Sequence, residues 1–169
     1  MTGNARLDGQ WDKTRGTLRR AARTGRARLR RELLREAAKL AGTIKENIVK
    51  GGELVGSPFK PNAELTIKLK KSSKPLIHDG DLMNSIAAHK INPDTVLVGI
   101  PGDARPKKGN TDDYIARYAR ANEYGVLRTT STGKKVWMPP ARPFIRPVLD
   151  HTRHKRRKEW QGSLQELFR

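Results

Sequence analysis

The sequence contains no cysteine. Disulfide bonds, thiolate metal sites and cysteine nucleophiles are therefore excluded. Histidine is also scarce, and of the four residues only His151 and His154 share one helical face. Apart from Asp150, no other ligand type accompanies this pair, and the positive charge around it disfavours a cation. We therefore predict a solvated basic helix there, and neither a metal site nor a cofactor.

Apolar and aromatic residues are few, at 35% and 5% of the chain, against about 45–50% apolar residues in a typical globular protein. A chain of 169 residues can form one domain, which buries roughly 68–70% of its unfolded surface. The low apolar content then predicts segments outside the core, either solvated arms or subunit contacts. No apolar run approaches the ~20 residues of a membrane span, and the N-terminus lacks the apolar centre of a signal peptide. We expect a soluble protein with no membrane partner.

Catalytic signatures are sparse as well. His78-Asp79-Gly80-Asp81 places two carboxylates beside an imidazole, an arrangement that suits acid–base chemistry. The same residues suit a turn in which Asp79 or Asp81 caps a short helix, and we favour that interpretation. The glycines at 51–56 lack the spacing and the lysine-serine ending of a phosphate-binding loop. We therefore predict that the protein is not an enzyme.

Acidic residues are outnumbered, since 17 Asp and Glu face 36 Lys and Arg and leave a formal net charge of +19. Such a surface favours a polyanion or an acidic protein as neighbour, and charge alone does not separate these two. Nine arginines fall within the 21 residues from 15 to 35. At 100° per residue they spread around a helix, which argues against base-specific readout. The candidate contacts are Arg19, Arg20, Arg23, Arg26, Arg28, Arg30 and Arg31, with Arg153, Arg156 and Arg157 in a second cluster. A solvated arm and a contact to nucleic acid or to an acidic protein both remain open.

Two long helical segments are predicted near the ends of the chain. Apolar residues recur at three- or four-residue steps from Leu29, and this pattern stops at Gly51. Residues 1–28 are predicted to form a basic arm or a frayed helix, and 29–169 a single α+β domain. The domain ends in an amphipathic helix over 147–168, whose first half is strongly basic.

Two hairpins are predicted between these helices. One joins strands near 86–91 and 95–100 through an Asn-Pro-Asp turn, and the other joins 126–130 to 135–138. The predicted fold class is therefore α+β. It comprises an antiparallel β-sheet of two hairpins, packed by a long N-terminal helix, short helices and the C-terminal amphipathic helix.

Two shorter segments have weaker patterns. The alternation of apolar residues at 65–69 favours a half-buried strand, although a short helix also fits. Thr111 or Asp112 is expected to cap a helix that contains Tyr114. That helix should end at Gly125, because glycine is a common helix stop.

The stretch MPPARPFIRPVLD joins the second hairpin to the last helix. Its four prolines fix φ near −65° and remove N–H donors, so we predict a rigid, extended strap. Phe144 is expected to anchor this strap on the sheet, since large apolar residues are usually buried. The guanidinium of Arg142 is expected to pair with Asp79 or Glu123.

Three segments in order resemble the tailed-bacteriophage virion-morphogenesis family, which comprises tail-completion and head-to-tail joining (neck) proteins. They are LIHDGDLMNSI from Leu76, YARANEYG from Tyr118 and MPPARPFI from Met138. The residues that carry the likeness are Asp79, Gly80 and Leu82 in the first, Glu123 and Gly125 in the second, and Arg142, Pro143 and Phe144 in the third. These eight residues are the candidate motif or interface positions.

The resemblance implies a small structural α+β subunit without catalysis or cofactor. Members of such a family assemble into a homo-oligomeric ring, here of six or twelve subunits, at the neck or tail top. The implied partners are portal or connector proteins and tail proteins, with a possible contact to packaged DNA. The implied location is the neck and tail region of the virion, after assembly in the host cytoplasm. A basic DNA- or RNA-binding structural protein is the alternative that the charge favours.

Overall fold

The computed structural model describes residues 8–107, 114–137 and 139–167. The helices are α1 Asp8–Val49, α2 Glu64–Lys70, α3 Asp81–Ser85, α4 Ile115–Tyr124 and α5 Arg146–Leu167. The strands are β1 Ala87–Asn92, β2 Thr95–Gly99, β3 Leu127–Thr129 and β4 Lys135–Trp137, and a 3₁₀ turn at Glu53–Val55 follows α1. Helices and antiparallel strands are thus mixed, which confirms the predicted α+β class.

Helix α1 is continuous for 42 residues, about 63 Å at 1.5 Å per residue. The described part of the predicted arm, residues 8–28, is therefore the first half of this helix. The helix stops where predicted, because Gly51 and Gly52 adopt φ of 64° and 91°. A side chain at Gly52 would place its Cβ 2.0 Å from the carbonyl oxygen of Ser57, so this turn requires glycine.

The prediction of a strand at 65–69 is wrong, since these residues form α2. The described hairpin strands pair only within their own hairpins, so an isolated strand here would leave its N–H and C=O groups without ladder partners. A helix satisfies them internally. The alternation that suggested a strand instead places Leu65 and Leu69 on one exposed helical face.

Both predicted hairpins are present as separate two-stranded antiparallel sheets in the described chain. In the first, Ala87 pairs with Gly99 and Lys90 with Val96. The second is shorter and pairs Leu127 with Trp137 at its open end. The first hairpin and α5 both pack against α1, so the second half of that helix is the centre of the molecule.

The predicted aspartate cap of α3 is wrong. Its N-cap is Gly80 with φ of 80°, and no side chain caps the helix. The Asp81 carboxylate accepts a hydrogen bond from the backbone N–H of Lys107 at 3.1 Å instead. For α4, Tyr114 is the N-cap rather than a helical residue, and the predicted caps Thr111 and Asp112 lie outside the described residues. The predicted end of α4 at Gly125 is confirmed.

The core forms where α1, α3, α4 and α5 meet. Its buried members are Leu40, Ala41, Ile44, Ile48, Leu82, Ile86, Ile115, Ala119, Phe144 and Val148. Phe144 is fully buried, as predicted. However, most of the cluster that it joins comes from helices, so the expectation that it anchors on a sheet needs correction. Helices dominate because the hairpin strands contribute few large apolar residues to this side.

Candidate interaction site

Glu123 holds the start of the last helix. Its Oε2 accepts hydrogen bonds from the backbone N–H groups of Phe144 at 2.8 Å and Ile145 at 3.1 Å, and its Oε1 accepts one from Arg146 at 2.9 Å. Because α5 begins at Arg146, these donors belong to the helix end, where N–H groups have no partner within the helix. The carboxylate also interacts favourably with the positive end of the helix dipole. A side chain of α4 therefore caps α5.

Helix α4 is built to deliver that carboxylate. Ile115, Ala119 and Glu123 recur every four residues and form its buried face. The helix then ends at Gly125. One turn earlier, the carbonyl of Asn122 accepts a hydrogen bond from the backbone N–H of Arg142 at 2.6 Å. The end of α4 is thus tied twice to the proline-rich strap.

Arg142 is buried, and its contacts differ from those predicted. Its Nε donates to the carbonyl of Lys60 at 2.7 Å and its Nη2 to the carbonyl of Pro61 at 2.9 Å. A longer contact of 3.5 Å joins Nη1 to Oδ1 of Asn122. Burial lowers the pKa of this guanidinium. The planar fork therefore ties the strap to the loop before α2, some 80 residues earlier in the chain.

The predicted pairing of Arg142 with Asp79 or Glu123 is therefore wrong, for two reasons. Both oxygens of Glu123 are already occupied by the N–H groups that start α5. Asp79 is half exposed and lies beside His78, with 3.5 Å between Oδ2 and Nε2. A solvated carboxylate has little to gain from a buried guanidinium that two carbonyls already satisfy.

The first motif lies next to the second. His78, Asp79 and Asp81 line one cleft together with Tyr118 of α4. Burial, and then the charges of Asp81 and Asp79, raise the pKa of the Tyr118 hydroxyl. Since the strap contacts the end of α4, the three motif segments form one connected unit.

The eight candidate motif residues divide into several structural roles. Gly80 and Gly125 provide backbone turns with φ of 80° and 74°. The others are the core residues Leu82 and Phe144, the hydrogen-bonding residues Glu123 and Arg142, the half-exposed Asp79, and the partly buried Pro143 in the strap. Most of them hold the fold together rather than project to a partner.

A groove of about 720 Å³ lies beside Arg142. Its walls include Lys70, Leu76, Leu82, Tyr118, Asn122, Pro139 and Arg142. Burial, and then the charge of Arg142, lower the pKa of the Lys70 ammonium. The groove combines apolar walls with two cations, so an anionic group would be the favoured occupant.

The candidate arginines of α1 are on or near the surface, and their distribution is more one-sided than predicted. At about 100° per residue, the nine positions from Arg15 to Arg35 cover about 220° and leave a sector of about 140° without arginine. Arg30 donates to Asp94 of the first hairpin turn at 2.9 Å. That hydrogen bond raises the pKa of Arg30 and lowers the pKa of Asp94.

The second arginine cluster lies on α5. Arg153 and Arg157 are exposed, whereas Arg156 is partly buried and donates to Oγ1 of Thr152 at 3.1 Å. Arg28 and Arg31 of α1 line a cleft with Glu166 of α5. The structure therefore brings part of the arm beside the end of α5, while residues before Arg28 extend beyond it.

Sequence reasoning missed the roles of Glu123 and Arg142 as ties between distant segments. The Glu123 bonds span 21 to 23 residues, and those of Arg142 span 81 and 82. No local pattern encodes such partners. A usable signal was the end of α4 at Gly125, which places a carboxylate close to where the strap returns.

Among the described residues, no group of three or more His, Asp and Glu side chains is placed to hold a metal ion. Within the same ranges, no helix has both the length and the apolar character needed to cross a bilayer. No known protein family, curated protein or solved structure matches this chain.

Proposed function

We propose that this chain is a structural virion protein of a tailed bacteriophage, acting in tail completion or as a head-to-tail connector or collar. The observation that carries the proposal is the contact between the three motif segments. Asn122 and Glu123 of the second segment bind the strap of the third, and Tyr118 lies beside Asp79 of the first. Segments that resemble one family in sequence are thus also neighbours in space.

The large surface of the chain supports assembly into an oligomer. The accessible area is 13095 Å² for 19.0 kDa, whereas a compact monomer of that mass exposes about 8,400 Å². Apolar side chains contribute to the excess, since Leu65 and Leu69 of α2 are 69% and 75% exposed. Subunits that contact each other through two different surfaces form a ring when the rotation between neighbours closes. A ring of six or twelve copies would cover such surfaces.

The mass of the full-length protein in solution tests the proposal. Native mass spectrometry and sedimentation over a range of concentrations should give a discrete hexamer or dodecamer. Replacing Leu65 and Leu69 by Ser should dissociate the ring, while the matched change Leu34→Ser on α1 should leave it intact. A strict monomer at every concentration, with the protein absent from purified particles, would contradict the proposal.

Binding to DNA or RNA is the second candidate function, and the charge of +19 favours it. A protein that neutralises many phosphates loses affinity steeply as salt rises. We expect the protein to bind a DNA duplex at low salt through the arginines of the arm. If affinity remains high at physiological salt while the protein is monomeric, nucleic-acid binding is its primary role. If the ring forms at every salt concentration while DNA binding disappears as salt rises, the structural role is supported.

A further inference from the structure

The first part of α1 carries an uncharged stripe. At about 100° per residue, the stripe falls within the sector that the arginines leave open and spans about 100°. Its members between 11 and 29 are Trp11, Thr14, Leu18, Ala21, Ala22, Gly25 and Leu29. No charged residue between 11 and 29 falls in this part of the circumference. The arm is therefore amphipathic, with this narrow uncharged stripe on one side and a broad basic surface on the other.

The same sector is already a helix-docking surface farther along α1. Glu36, Leu40 and Thr43 fall at the same angles and line a cleft with residues of α5. Leu40 is buried there. Helix α5 therefore packs on this side of α1, and its last described turns reach the level of Arg28, where Glu166 lies.

Between Arg28 and the start of α1 the large apolar side chains of the stripe remain exposed. Trp11 is 58% exposed and Leu18 is 64% exposed. The stretch from 8 to 27 amounts to about 30 Å of helix. Ala21, Ala22 and Gly25 are small, so a second helix could approach closely along this face. A Cβ at Gly25 would meet no atom within 4 Å.

The charges beside the stripe favour an acidic helix over a second copy of the arm. Arg15 and Arg26 flank the stripe on one side, and Arg28 flanks it on the other. Where α5 covers the equivalent surface, residues of opposite charge from the two helices share one cleft, with Glu36 of α1 near Lys155 and Arg156 of α5, and Lys39 of α1 near Glu159. The hydrogen bond and charge of Glu36, and then the charge of Glu159, raise the pKa of Lys39. Glu166 shares its cleft with Arg28 and Arg31. A second copy of the arm would bring like charges together, which is unfavourable.

We propose that the stripe from Trp11 to Gly25 docks an acidic amphipathic helix of a partner protein, in line with the position that α5 occupies farther along α1. The partner helix would place apolar residues on Trp11 and Leu18 and carboxylates beside the flanking arginines. This is the helix-in-groove type of recognition, with anchors spaced by whole helical turns. The inference goes beyond the proposed virion role and does not require a ring.

The test uses the full-length protein and a synthetic three-heptad peptide with leucine at a and d and glutamate at e and g. Calorimetry should detect binding, and the fluorescence of Trp11 should shift to the blue, a change that Trp11→Phe should abolish. A peptide of the same composition with its leucines scattered should bind weakly. Equal binding of both peptides would overturn the proposal, because it would show attraction by charge alone.

Variants of the arm locate the binding surface. Leu18→Ser should weaken peptide binding about tenfold or more, since burying one leucine contributes that much. Leu34→Ser is the matched control, because Leu34 is 39% exposed and lies about 160° away from Leu18. Equal losses in the two variants, or no loss in either, would overturn the proposal.

Ala22→Arg separates helix docking from general attraction to anions. The change places a cation within the stripe, so it should weaken peptide binding. Binding to a short DNA duplex should stay equal or increase. Vesicles of phosphatidylserine and phosphatidylcholine provide the remaining comparison. If binding of the duplex or of the vesicles depends on Leu18 and binding of the peptide does not, the stripe docks nucleic acid or lipid and the proposal is wrong. Sedimentation of the same variants reports ring formation separately.

Discussion

The two parts of helix α1 share one secondary structure and have opposite surroundings. From about residue 30 the helix is enclosed by the first hairpin and α5, and it supplies Leu40, Ile44 and Ile48 to the core. Before Arg28 it supplies no residue to the buried core, and its apolar residues Trp11 and Leu18 remain exposed. Helix formation therefore does not distinguish the core from the arm. Tertiary packing does.

The largest expected effect is on the packed part. Phe144→Ala should lower the free energy of unfolding by about 3–5 kcal/mol, since it removes a fully buried aromatic ring and leaves a cavity. Leu18→Ala on the arm should change it by less than about 0.5 kcal/mol. Urea unfolding followed by circular dichroism measures both. Similar values for the two variants would remove the distinction between arm and core.

Glu123→Gln should have the next largest effect, a loss of about 1–3 kcal/mol. The amide keeps the shape of the side chain, but its NH₂ group cannot accept a hydrogen bond from the start of α5. The control is Glu53→Gln, which changes an exposed glutamate with little effect. The loss should appear in the free energy of unfolding and in reduced helix content. A neutral result would show that α5 begins without this cap.

Asn47→Leu should stabilise the protein by about 1 kcal/mol. Asn47 is fully buried, and neither Nδ2 nor Oδ1 has a hydrogen-bond partner among the described residues. Leucine keeps the branched shape and removes the unsatisfied amide. Asn47→Ala, which leaves a gap, is the comparison and should gain less. A clear loss of stability in the leucine variant would show that the amide is paired in the folded protein.

Asp94→Asn should have a small effect that depends on pH and salt. The hydrogen bond from Arg30 lowers the Asp94 pKa in the folded state. The pair therefore contributes above the unfolded pKa of about 3.9, and its contribution is lost as pH falls through the lower folded value. Thermal unfolding should show a difference between wild type and variant at neutral pH that shrinks in acid and in high salt. A difference that persists at low pH would contradict this assignment.

Deleting residues 1–27 should have the smallest effect on stability. Because the described part of this segment supplies no residue to the buried core, Tm should stay within about 2 °C. The truncated protein should nevertheless lose most of its retention on a DNA or acidic-peptide column at low salt. A large drop in Tm would show that the arm stabilises the core. Unchanged retention on the column would show that the anion contacts lie on α5 instead.

Much of the local structure was predictable, and the reasons are local. The glycines after α1 and α4 end those helices because their backbones adopt positive φ. The first hairpin follows from an Asn-Pro-Asp turn between apolar strands. At 65–69 local reasoning favoured the wrong element, because a short apolar alternation fits both a strand and one face of a helix.

The candidate site was only partly predictable. The motifs singled out Glu123, Arg142 and Phe144, which are buried in the fold, yet the predicted pairing between Glu123 and Arg142 was wrong. Arg142 binds two carbonyls of a loop, and Glu123 binds three N–H groups of a helix end. Charge suggested an ion pair, whereas backbone groups without other partners were the better ligands for both side chains.

The sequence by itself determined the α+β class, the two hairpins, the ends of α1 and α4 at glycine and a chain dominated by positive charge. These properties depend on neighbouring residues and on composition, which a linear pattern contains. Only the tertiary structure decided that α2 is a helix, that Glu123 caps α5, and that the same side of α1 is covered at Leu40 and open at Leu18. Those outcomes depend on which distant segments meet. Burial and the pairing of backbone N–H and C=O groups select them, and both are defined only in the folded chain.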